Sequence, residues 1–116
     1  MPNIDPDKLR RFHAEAKATH AALMRASEAY RFAREDLSSA TGRLEEAREP
    51  VPGVKRVGAE AEKPLVAAVK SAEATFARAE EERERLHDAW THANRIWTKC
   101  RDFAAEHGTL PNDLKD

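Results

Sequence analysis

Apolar residues return along this chain at alternating steps of three and four, first from Leu9 to Ala47 and again from Leu65 to Ala104. A helix needs that rhythm to keep one stripe turned toward a neighbouring helix. In the first stretch the positions are Leu9, Phe12, Ala16, Thr19, Leu23, Ala26, Tyr30, Ala33, Leu37, Ala40, Leu44 and Ala47, and Thr19 alone is not apolar when Tyr30 is counted in. At 41% hydrophobic content, about five apolar residues would fall on these positions by chance. The second stretch runs Leu65, Val69, Ala72, Phe76, Ala79, Arg83, Leu86, Trp90, Ala93, Trp97, Cys100 and Ala104, and Arg83 alone breaks it. In the first seam larger side chains generally alternate with alanines, a pattern that lets a partner helix come close.

The boundaries follow from local chemistry. Asp5 suits a helix N-cap, Pro6 the first helical position and Asp7 the positive end of the helix dipole. Gly108 and Pro111 after "AAEH" form a stop signal. We therefore expect helix 1 over about 6–49, a loop over 50–63, helix 2 over 64–107 and a loose tail over 108–116. Two points are open in the sequence. Gly42, inside "LSSATGR", lowers helix propensity by roughly 1 kcal/mol relative to alanine and marks a place where helix 1 can kink or end. Pro64 is tolerated in a first helical turn, so "AEAEKP" can already be helical.

The fold expected is all-α: a single domain, 1–116, forming an antiparallel two-helix hairpin of coiled-coil character that dimerises into a four-helix bundle. Folding back at the loop pairs Leu44 with Val69, Leu37 with Phe76, Leu23 with Trp90 and Ala16 with Trp97. The same register sets Arg83 beside Tyr30, where its charge can lie over an aromatic face.

Composition sharpens this picture. Charged residues make up 35% of the 116, with 22 alanines and only four glycines, the balance of long helices rather than of a large globular core. A net charge of -1 gives no global pull toward nucleic acid or an anionic membrane, so an electrostatic partner has to be met by a local patch. The lone Cys100 excludes an internal disulfide and suits either a reducing compartment or a thiol that is simply buried on the seam as an inert small hydrophobe. No apolar run reaches the length of a signal peptide core or a membrane span. The expected location is cytoplasmic, with no membrane partner.

The widest apolar surface is predicted between Arg85 and Ala104. Ala89, Ile96 and Phe103 add a second stripe beside the seam, and one partner helix covers only a two-position seam. Trp90, Ile96, Trp97 and Phe103, with Phe12 from helix 1, are thus the candidate face for self-association or for another protein. At the same open end of the hairpin Arg10, Arg11, Lys17, Arg95, Lys99 and Arg101 form a candidate basic patch. Its weakness as a nucleic-acid site is that both tryptophans fall on the seam rather than outward, where bases would stack. At the other end Val54, Lys55, Arg56 and Val57 form a candidate loop tip, either a plain connector or a small binding element.

Catalytic chemistry finds no footing in the sequence: there is no nucleophile set beside a base and no glycine-rich phosphate loop. "ERLH" gives Glu84 and His87 the spacing used in di-iron bundles, but both fall off the seam and no second copy of the motif occurs. His20 and His92 can meet across the hairpin only as edge residues. No metal ligand set and no cofactor is assigned. The function expected is that of a non-enzymatic protein–protein interaction module, an adaptor, assembly factor or inhibitor acting through an apolar helical face, with a homodimer favoured. A nucleic-acid-binding hairpin using the basic end is the alternative, and a ferritin-like metal protein a lesser one.

Overall fold

The computed structural model describes residues 4–49 and 58–115. Two helices, α1 (Pro6–Arg48) and α2 (Ala59–Glu106), pack as a hairpin, and a 3-10 turn over Asn112–Leu114 follows. Their residues fall into two compact units, one of Met1–Arg25 with Glu84–Asp116, the other Ala26–Arg83.

α1 begins as its sequence directs. The Asp7 N–H donates to the Asp5 carboxylate at 2.9 Å, and the Asp5 carbonyl accepts from Lys8 and Leu9, so one side chain and one backbone oxygen occupy donors the first turn would leave unmet. All twelve positions of the α1 seam are buried or half-buried. Thr19, the polar member, donates its hydroxyl back to the Glu15 carbonyl at 2.8 Å, which removes the penalty of a half-buried unpaired hydroxyl. The helix passes through Gly42 without ending.

α2 starts at Ala59, five residues before Pro64. Gly58 opens it by accepting from the Glu62 N–H at 3.1 Å. Pro64 has no N–H to give the Glu60 carbonyl, and it falls in the first turns of the helix at an exposed residue, Glu60, where losing that bond costs least. Along α2 every expected seam residue is buried or half-buried except Arg83.

Among the described residues of the loop-end unit, Ala26–Arg83, the buried ones are the alanines Ala26, Ala33 and Ala40. Around them Tyr30 meets Phe76 at 5.1 Å between ring centroids, and the Arg83 guanidinium lies 4.7 Å from the Tyr30 ring centroid. Arg48 Nε donates to Glu62 at 2.7 Å, tying α1 to α2 near the connector.

The open-end unit holds the heavier core. Leu9, Ala16, Trp97, Ala104 and Leu114 form one buried cluster, with Ile4, Phe12, Cys100 and Leu110 packed against it. Leu110 and Leu114 belong to the segment expected to be a loose tail, and the structure corrects that expectation. The cause is the way α2 ends. Gly108 takes φ +67, its N–H donates to Ala105, and the Thr109 N–H donates to the Ala104 carbonyl at 2.8 Å. This is a Schellman closure, which reverses the chain and meets the last carbonyls of the helix. The reversed chain then lays Leu114 into the core, at 5% exposure.

Candidate interaction face at the open end

Each helix turns about 100° per residue, so Ile96, five positions before Arg101, leaves α2 about 140° away from it, whereas Ala105, four positions after, stays on the Arg101 side. Arg101 and Ala105 face the returning C-terminal segment: together with Gly108, Leu110, Leu114 and Lys115 they line a groove of about 480 Å³. Ile96 emerges on the other flank. There it walls a cleft of about 200 Å³ with Phe12, Glu15, His92 and Ala93. The chain's own tail therefore covers one flank of the broad apolar surface and leaves the other to Phe12 and Ile96, both half-buried.

The remaining members of the expected face divide by depth. Trp97 is 7% exposed within the core cluster, with the His13 ring 4.8 Å away. Trp90 is half-buried and has His20 and His87 at 5.7 and 6.3 Å. Phe103 is half-buried and stacks on His107 at 4.1 Å between centroids, while the His107 Nδ1 sits 2.8 Å from the Phe103 carbonyl. Phe12 and Ile96 thus line the cleft, Phe103 follows seven residues after Ile96 on the same side of α2, Trp90 is half-buried like them, and Trp97 acts as packing.

The candidate basic residues also separate. Arg10 makes a two-point contact with Asp113 at 3.3 and 3.5 Å and a further one with Asp7 at 3.4 Å. The hydrogen bond to Asp113, with its charge, raises the Arg10 guanidinium above its ordinary value. Reciprocally, the Arg10 hydrogen bond holds the Asp113 carboxyl below the usual carboxylate range, aided by the charges of Arg10 and His13. Arg101 is taken up by its neighbour Asp102 at 3.3 Å. Arg11, Lys17, Arg95 and Lys99 are exposed and carry no ion pair among the described residues.

Glu84 and His87 are both exposed, and His87 lies 3.8 Å from Asp88. Among the described residues no three His, Cys, Asp or Glu side chains gather as a metal would require. His20 leans on Trp90, whereas His92 lines the cleft. Cys100 is half-buried against the core cluster. Val54, Lys55, Arg56 and Val57 lie outside the described residues. No described helix is long and apolar enough to cross a membrane.

The sequence reading missed the tail's part in this site, and with it the Arg10–Asp113 pair. The available signal was local: a helix stop at Gly108 followed by Leu110 and Leu114, spaced one helical turn apart. Comparison with protein-family models, with curated proteins and with solved structures gives no match.

Proposed function

We propose that this chain is a non-enzymatic protein–protein interaction module, working in the cytoplasm as an adaptor, assembly factor or inhibitor through the face of Phe12, Ile96 and Phe103. The observation that supports it most is the cleft between Phe12 and Ile96, floored by Ala93. Two helices can close only the seam between them, and the returning tail is spent on the other flank. An apolar row left beside an open cleft is what a partner helix or loop inserts into. The lone, half-buried Cys100 accords with a reducing compartment.

Substituting Ile96 or Phe103 by Asp places a charge on this face without touching the buried cluster. Either change abolishes partner capture, or self-association, while helix content by circular dichroism stays at the wild-type level. Retained binding in both variants sinks the assignment of this face.

A second reading, nucleic-acid binding, draws on the unpaired Arg11, Lys17, Arg95 and Lys99. It predicts retention on nucleic acid that falls steeply as salt rises. The burial of Trp97 and half-burial of Trp90 weigh against it, since neither ring is presented as a flat platform for bases.

A further inference from the structure

The charges bordering the open apolar row follow a simple order. On α1, Lys8 and Glu15 stand seven residues apart and flank Phe12; on α2, Lys99 and Glu106 stand seven apart and flank Phe103. All four are exposed and none has an ion pair among the described residues. Read from the N-terminal side, each helix carries its cation first and its anion second. Laid parallel, two such stripes put like charges together. Laid antiparallel, they put Lys against Glu at both levels, about 10 Å apart along the axis. The complement of this face is therefore the face itself.

From this charge order we infer that a second copy of the chain covers the row. α1 of each copy lies antiparallel on α2 of the other, with Lys8 against Glu106 and Glu15 against Lys99 of the second copy. The inference rests on the interaction-face reading above and names its occupant. A two-fold axis repeats both pairs, as an isologous contact requires. Phe12 of one copy meets Ile96 and Phe103 of the other, so the apolar row supplies affinity and the rim charges set orientation and register. The hairpin's own core leaves room for this contribution, because six of the ten buried apolar residues among those described are alanine.

Light scattering across a dilution series tests the pairing, with the 13.0 kDa monomer as reference. The wild type is expected to run as a dimer. Glu15→Lys and Lys99→Glu each weaken self-association about tenfold, since each reverses two symmetry-related rim pairs, and the double variant returns to within about threefold of wild type. Lys8→Glu with Glu106→Lys repeats the test at the other level, and circular dichroism confirms that these surface changes leave the helices intact. A wild-type monomer at every concentration overturns the second-copy assignment, leaving the face itself to be judged by capture with Ile96→Asp and Phe103→Asp. A dimer whose strength ignores the single reversals, or is not rescued by the double, overturns it as well. One that also ignores Ile96→Asp and Phe103→Asp overturns the face along with the pairing.

Discussion

The Arg83 guanidinium lies 4.7 Å from the centroid of the Tyr30 ring, so the one charged position in the α2 seam is met by an aromatic face from α1. Arg83 remains exposed, so its guanidinium sits on the ring at the margin of the seam rather than inside it. Replacing Arg83 by Ala is expected to cost about 0.5–1 kcal/mol. A double-mutant cycle with Tyr30→Leu in urea unfolding checks the origin of that loss. Strict additivity of the two changes would mean the stack contributes nothing.

Gly42 sits inside an unbroken α1, and a Cβ built there meets nothing within 4 Å. Gly42→Ala should therefore raise unfolding stability by about 1 kcal/mol, through helix propensity and a less disordered unfolded chain. A fall in the urea midpoint would show that the glycine serves some local need.

Leu114 anchors the returning segment, and Gly108 makes the return possible. Leu114→Ala is expected to destabilise by about 2 kcal/mol, at the low end of large-to-small core changes because a terminal segment can readjust. Gly108→Ala should cost about 1 kcal/mol, from its left-handed backbone. Thermal melts of both variants provide the check, together with faster proteolytic clipping after α2 than in the wild type.

The Arg10–Asp113 pair gives this docking an acid dependence. Asp113 titrates below its unfolded-state value, so its contribution is fully present above about pH 4, the ordinary carboxylate range, and is lost as pH falls through the lowered folded value. Arg10 stays charged throughout. NMR titration of the Asp113 carboxyl should show the depressed midpoint, and Arg10→Gln should return it to the ordinary range. Both side chains are exposed, so the effect on global stability is small.

Much of the fold was legible because it rests on one stripe per helix. The three-and-four rhythm selected twelve α1 positions that all turn inward, and the Tyr30–Arg83 pairing followed from register alone. The start of α2 was placed late because Pro64 was given more weight than the helix formers Ala59, Glu60, Ala61 and Glu62 before it. The tail was missed for a different reason: a segment as short as 108–116 is too brief for periodicity to register, and the position of Leu114 depends on a backbone reversal at Gly108. The same gap blurred the candidate face. Ile96 and Phe103 were identified as a second stripe, but that the chain covers the opposite flank itself could be seen only with the tail in place.

Both tryptophans, Trp90 and Trp97, belong to the open-end unit, while Tyr30 and Phe76 are the paired rings of the loop-end unit. Indole emission is thus a reporter of one unit only, whereas the far-ultraviolet signal of two long helices reports on both. If heating loosens the alanine-lined unit first, ellipticity falls while the tryptophan spectrum holds, and the gap between the two curves measures how far the units unfold independently.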